Sequence, residues 1–422
     1  MDERFLHYIW KFQKFSKTEL RTTSGQRVVV LNQGSHNHHS GPDFEEARIK
    51  IGDIEWAGNV EIHIDSADWN KHFHHNDRAY DNVILHVVWE NTQNVLIQSE
   101  FVPTLELKDI VNGNRFSEYQ TFLSQEREIL CEDQFKTITD LSFNNMLDRA
   151  LVERLEQKST TVLNLLEKEN NDWEVVTYLS LAANFGFSLN KEPFSHLADS
   201  LPYKVISKYH NRPKECDALI FGQGGLLDEE ADNYQKELRK EYTYLARKHQ
   251  LIKRLTRSSW KFGRMRPPNF PSVRLSQFSS LMSEHEHLFS RIIATESTSA
   301  LIHLFQIKSS EYWADHYDFG KKRKKRQKTI GRSSRENILI NTIAPLLAAY
   351  SKYVDDYVYM ERALAVLEKL RPETNSITEK WKRAGKKPEN AFDSQALIGL
   401  FKNYCIKKRC LECNIGAEIL GK

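Results

Sequence analysis

The hydrophobic period of this chain changes once along its length, and that change limits the fold more than any other feature. Four β-branched, partly alternating runs follow one another early on: Arg27 to Asn32 (RVVVLN), Ala47 to Ile51 (ARIKI), Ile54 to Asp65 (IEWAGNVEIHID) and Asn82 to Trp89 (NVILHVVW). A side-chain repeat of two, interrupted by Gly, Asn and Asp, is the pattern of strands. Gly52-Asp53 falls where a tight hairpin turn joins the second run to the third, and a further strand closed by Pro103 is expected between Val95 and Leu105. From about Arg115 the apolar residues recur at i, i+3 and i+4, over 143–168, 174–187, 229–256, 335–354 and 358–370, which is helix spacing. Phe5, Leu6, Ile9, Trp10 and Phe12 predict a short amphipathic helix ahead of the strands. The expected fold class is α+β: an N-terminal mixed-sheet module, then a larger, mainly α-helical region. The expected domains are 1–115 for the sheet module, 116–265 as a helical domain, and 266–422 as a helical domain with a basic loop and a Cys-rich C-terminus. Met265 to Ser272 (MRPPNFPS) is expected as an extended connection, since proline does not continue a helix.

A chain of 422 residues buries enough surface to fold without covalent staples, and 40% apolar with 28% charged residues excludes disordered and low-complexity classes. There is no run of about 18 apolar residues, so no membrane is expected. The opening MDERFLHYIWKF is acidic and aromatic where a signal peptide is basic and then aliphatic, so the cytoplasm is the expected compartment. Five cysteines, an odd number, point to reduced or metal-bound thiols. The net charge of +3 hides an asymmetry: residues 1–115 carry 12 Lys and Arg against 17 Asp and Glu, with nine of the 16 histidines. An acidic, His-rich front joined to a basic rear suits a front that gathers cations and a rear that meets a polyanion.

The densest chemistry lies in 40–81 (SGPDFEEARIKIGDIEWAGNVEIHIDSADWNKHFHHNDRAYD). Asp43 follows Gly41-Pro42 in a turn, and Glu61 and His63, two apart on a strand, share one face. Two carboxylates so placed suit Mg²⁺ or Mn²⁺, with His63 beside them to activate or orient water. Asp68, Trp69, His72, His74, Asp77 and Tyr80 follow in one polar connection, and His86 lies in the middle of the next strand. The alternative assigns His72, His74 and His75 to a solvated loop, Trp69 and Tyr80 to core anchors, and His86 to a hydrogen-bonded core position.

Residues 20–90 resemble the PD-(D/E)XK nuclease superfamily, whose motif is an Asp beside a Pro, a short hairpin, and then acid-any-Lys on the next strand. The resemblance implies that Asp43 and Glu61 are the metal-binding acids and that the chain is a metal-dependent nuclease cleaving DNA or RNA, with Asp43, Glu61, His63, His72 and His74 as its catalytic set. His63 stands where the superfamily has lysine, and an imidazole there can act as a base or bind the metal itself. The alternative is a non-catalytic nucleic-acid or protein-binding scaffold on a degenerate nuclease-like fold. The chain as a whole resembles a bacterial family catalogued as domain of unknown function 2851. That likeness rests on ERFLHYIW, Gly34 to Ile49, Trp56 to Val88, FGQGGLL at 221–227, RENILINTIAP at 335–345 and the cysteine-rich end; it implies no particular activity.

Gly320 to Arg335 (GKKRKKRQKTIGRSSR) holds nine basic residues in 16, just ahead of a helix expected near Ser334. Lys321, Lys322, Arg323, Lys324, Lys325, Arg326 and Arg332 are therefore candidates for contacting nucleic acid, against the alternative of a solvated surface run. Lys253 to Arg274 interleaves cations with Trp260, Phe262 and Phe270, which suits either base stacking or core packing. Cys405, Cys410 and Cys413 form C-x4-C-x2-C, open to a structural zinc site that draws a fourth ligand from Cys131, Cys216 or a histidine, to an iron-sulfur cluster, or to three reduced thiols. FGQGGLL lacks the Walker spacing and predicts a helix end and turn. The oligomeric state is not encoded in any of these patterns.

Overall fold

Asp2 opens the first helix by accepting the Arg4 backbone N–H (3.0 Å), which satisfies one of the donors a helix start leaves free. The computed structural model describes residues 2–37, 40–98, 100–111, 113–252, 255–263, 265–266, 269–324 and 329–421. Helix α1 (Glu3–Lys11) buries Phe5, Leu6, Tyr8, Ile9 and Trp10, the stripe its apolar spacing predicts. The chain divides into two compact units, 1–148 with 400–422, and 149–399.

The first unit is built on a mixed sheet of β1 (Val28–Asn32), β2 (Ser35–His36), β3 (Phe44–Ile51), β4 (Ile54–Asp65), β5 (Val83–Glu90) and β6 (Thr104–Glu106). Its order is β1-β3-β4-β5-β6, with β2 also pairing β3. β1–β3 and β3–β4 are antiparallel, whereas β4–β5 and β5–β6 are parallel. Gly52, at φ +60, takes the first of two turn positions between β3 and β4; a two-residue hairpin that follows the sheet's twist needs a left-handed residue there. Parallel pairing buries β5 on both faces, so its sequence reads as a continuous apolar run interrupted only by His86. One face of β4 sends Val60 and Ile62 into a core shared with α1, and alternation sends Glu61 and His63 to the other. On that second side Trp69, Tyr80, Val83, Val95 and Val102 form a smaller apolar cluster.

The second unit is helical, including Trp173–Phe185, Pro213–Gln223, Asn233–Lys248, Pro271–Glu284, Ala344–Val354 and Val358–Lys369. Pro271–Glu284 is buried nearly all round, as a central helix must be when others surround it. FGQGGLL does form a helix end and turn: Gly225 is left-handed (φ +69), and a Cβ there would stand 2.3 Å from the Leu255 carbonyl oxygen. The proline-rich connection requires a correction. Pro271 and Ser272 belong to the helix, because proline at a first helical position gives up an N–H that had no partner anyway; Pro267 and Pro268 lie outside the described residues. With 55% of the chain helical and 13% in strands, and the sheet confined largely to the front, the fold class is α+β. Among the described residues no helix is long and apolar enough to cross a membrane.

Candidate metal centre

Two backbone hydrogen bonds lock the acids of the front motif together. The Asp43 N–H donates to Glu61 Oε2 (3.0 Å), and the Ile62 N–H donates to Asp43 Oδ2 (3.0 Å). The start of β3 and the middle of β4 are thereby fastened side by side. Glu61 Oε1 then faces the imidazoles, 3.2 Å from His74 Nε2 and 3.6 Å from His63 Nε2.

Four histidines converge from β4, β5 and the connection between them. His63 on β4 is 1% exposed, with Nδ1 2.9 Å from Nε2 of His86 on β5 and Nε2 3.2 Å from Nδ1 of His72. His72 ends the single-turn helix α2 (Asp68–Lys71) and is exposed. His74 follows Phe73, whose left-handed backbone (φ 61) turns the chain back toward the sheet, and its ring stacks on Tyr80 at 3.9 Å. Trp69, fully buried, meets His63, His74 and His86 edge-on and closes the cluster from below. His72 and the half-buried His74 and Asp43 form its solvent side.

Burial sets the electrostatics. It pushes Glu61, with the Asp43 charge beside it, up to about 9. His63 is driven down to about 2 by burial and the neighbouring imidazoles, and His86 down to about 3 for the same reasons. Burial lowers His74 too. Without a cation Glu61 is thus a protonated acid beside the neutral imidazoles of His63 and His86. Near α1 the sense reverses: although burial pulls His7 down, Asp43, 3.2 Å away, holds it above its ordinary value.

The donor set fits a divalent ion. One ligand nitrogen from each of His63, His72 and His74 lies within 4.8 Å of the others. Tetrahedral zinc, with Zn–N of about 2.0–2.1 Å, keeps its ligand atoms roughly 3.4 Å apart, close to the 3.2 Å between His63 Nε2 and His72 Nδ1 and the 3.2 Å between His74 Nε2 and Glu61 Oε1. His74 Nε2 is buried without a hydrogen-bond partner among the described residues, as a ligand aimed at a cation would be. If His63 Nδ1–H donates to His86, its Nε2 lone pair faces the centre, the usual outer support of a metal-binding imidazole.

Asp43, Glu61, His63, His72 and His74 therefore meet in one place, with His86 behind them, while His75 is exposed to solvent. Glu3 and His7 were not among the residues singled out from sequence. They lie four apart on the polar stripe of α1, and that spacing beside an apolar helix face was the available signal. Glu3, raised by burial and by Asp43, senses the charges of His7 and His72.

The basic residues belong to the second unit. Lys321 and Lys322 pair as a short strand with His316–Asp318; Lys321 reaches Asp318 at 3.3 Å, and Arg332 reaches Glu336 at 3.1 Å. Lys322 and Lys324 are exposed, Arg323 is half-buried, and Lys325 and Arg326 lie outside the described residues. In the aromatic-interleaved run, Trp260 is buried with its indole N–H on the Gly224 carbonyl (2.7 Å), and Arg257 covers Phe262, so these rings already have intramolecular partners.

Fold and site together describe an α+β protein whose N-terminal sheet and the connection beside it gather imidazoles and carboxylates in one place. The chain belongs to the family described as protein of unknown function (DUF2851), whose model matches residues 3–376, a stretch that includes the whole imidazole cluster. No curated protein and no solved structure matches it.

Proposed function

We propose that the chain is a metal-dependent nuclease whose ion is held by His63, His72, His74 and Glu61, and whose second unit offers exposed cations, Lys322 and Lys324 among them, to the nucleic-acid backbone. The observation that carries this reading is the convergence of three imidazole nitrogens, with Glu61 Oε1 beside two of them, 3.2 Å from His74 Nε2 and 3.6 Å from His63 Nε2. An imidazole-rich set favours Mn²⁺ or Zn²⁺ over Mg²⁺. A bound divalent ion would neutralise phosphate charge and acidify the attacking water.

The protein's own groups have distinct tasks. Glu61 gives up its proton when a cation arrives, so the burial that raises it also couples ion uptake to proton release. His63, held neutral and braced by His86, acts as a ligand rather than a base. The positive charge that lysine provides in the resembled motif would fall instead to His7, whose protonated form is favoured by Asp43 3.2 Å from its Nε2. Asp43 orients Glu61 through its own backbone and holds His7 through its carboxylate.

The test is cleavage of end-labelled single- and double-stranded DNA and RNA by the full chain with Mn²⁺ or Zn²⁺. Wild type should cleave at least one of them; Glu61→Gln and the His72→Ala/His74→Ala double variant should fall by about 100-fold or more with unchanged circular dichroism. His7→Ala should lose about 10–100-fold, and His7→Lys should recover part of it. Metal binding without cleavage of any substrate would favour the non-catalytic scaffold, and full activity in both metal-site variants would dismiss the nuclease.

A further inference from the structure

A second group of metal-competent side chains lies in the same unit, away from the imidazoles. Cys410 and Cys413 bracket the single 3-10 turn Cys410–Glu412, closed by the Cys413 N–H donating to the Cys410 carbonyl at 3.3 Å. Cys405 ends the π-helical turn Phe401–Cys405, and the left-handed Lys408 (φ 52) then reverses the chain. Two hydrogen bonds fix the reversal, Lys408 N–H to Cys405 O (3.0 Å) and Arg409 N–H to Tyr404 O (2.9 Å), so Cys405 is carried back beside the C-x2-C turn. The fourth sulfur arrives from far away in the chain: Cys131 caps the 3-10 turn Glu132–Gln134 in the same unit. All six pairings of Cys131, Cys405, Cys410 and Cys413 lie within electrostatic reach of one another, whereas Cys216 belongs to the second unit. No disulfide joins them.

We propose that Cys131, Cys405, Cys410 and Cys413 form a four-thiolate zinc site that clips the C-terminal segment 400–422 to the first unit. Four sulfurs match the closed tetrahedral set of a structural zinc, and a C-x2-C turn supplies two ligands at the tightest workable spacing. Simple core packing accounts for the group less well, because Cys131, Cys405 and Cys410 are only half-buried. No three of these sulfurs lie within 4.8 Å of one another, as the imidazole nitrogens do, so the proposed site requires the side chains to rotate onto the ion. The site is independent of the nuclease reading, and its ligands exclude the histidines.

Cobalt distinguishes the two sites, since only thiolates give an intense near-ultraviolet charge-transfer band with it. Metal-free full-length protein titrated with Co²⁺ should show a band of four-sulfur intensity, unchanged in Cys216→Ser and in His72→Ala/His74→Ala, and reduced by about a quarter or lost in Cys131→Ser. A measurement on wild type alone guards against misfolding of that variant: in protein purified with zinc, mercurial titration should release one equivalent of zinc as four thiols react, the fifth reacting without release. An absent band, an undiminished band in a folded Cys131→Ser, zinc release tied to fewer than four thiols, or iron with labile sulfide in place of zinc would each overturn the proposal.

Discussion

Glu61 and the buried imidazoles titrate in opposite senses, and their balance gives the metal-free cluster a pH optimum. His63 and His86 take up a proton near 6.5 when unfolded but only near about 2 and about 3 when folded, so the stability they confer is complete above 6.5 and is lost as pH falls below it. Glu61 moves from 4.5 to about 9; its contribution is complete below 4.5 and is lost as pH rises toward 9. Urea midpoints of the chelated protein should therefore peak near about pH 6.5, and saturating Mn²⁺ should flatten the alkaline arm. A midpoint that climbs steadily to about pH 9 without metal would contradict these assignments. At this scale part of the site was legible in the sequence. Strand alternation alone puts Glu61 and His63 on one face, and Pro42-Asp43 marks a turn. Spacing offers Glu3 and His7 as a pair on one stripe, but their meeting with Asp43 was not legible, because a helix stripe says nothing of what its polar half faces.

Secondary-structure elements position those residues through close backbone approach. Asn59 N–H donates to the Asn82 carbonyl at 2.8 Å, and at the adjoining Gly58 a Cβ would stand 2.5 Å from Ile84 Cγ2 and 2.6 Å from the same carbonyl. Gly58→Val should therefore cost about 1–3 kcal/mol by forcing β4 from β5 at the start of the strand pair that carries His63 and His86, read as a lower thermal midpoint together with weaker Mn²⁺ binding. Wild-type stability in that variant would refute the close approach. Period-two runs made β1, β3, β4 and β5 readable, and the hairpin at Gly52-Asp53 with them. The pieces that deliver His72 and His74 carry no period: a one-turn helix, a left-handed Phe73 and a 3-10 turn His74–Asn76. Side-chain packing on Trp69 and Tyr80 decides their shape, and such packing is not a local property of the sequence.

For the molecule as a whole, the least legible feature is the return of residues 400–422 to the first unit, a join made between positions hundreds of residues apart. Leu411, 6% exposed, packs into the core formed by α1 and the sheet, and the Lys408 ammonium donates to the Leu123 carbonyl at 2.8 Å. Leu411→Ala should cost the first unit about 2–5 kcal/mol. Hydrogen exchange resolved by peptide should show lost protection in 2–148 and little change in 149–399; uniform loss or none would contradict the division. The helical rear was legible because long amphipathic segments announce themselves, but which end of the chain completes which unit depends on contacts that periodicity does not encode. The central claim, that the sheet of the first unit holds a divalent ion on imidazoles and Glu61, is tested most directly by an anomalous difference map from crystals of the full chain grown with Mn²⁺ or Zn²⁺. A peak within coordinating distance of His63 Nε2, His72 Nδ1, His74 and Glu61 Oε1 is the expected result. No peak there at saturating ion, with His63 Nε2 still hydrogen-bonded to His72, would contradict it.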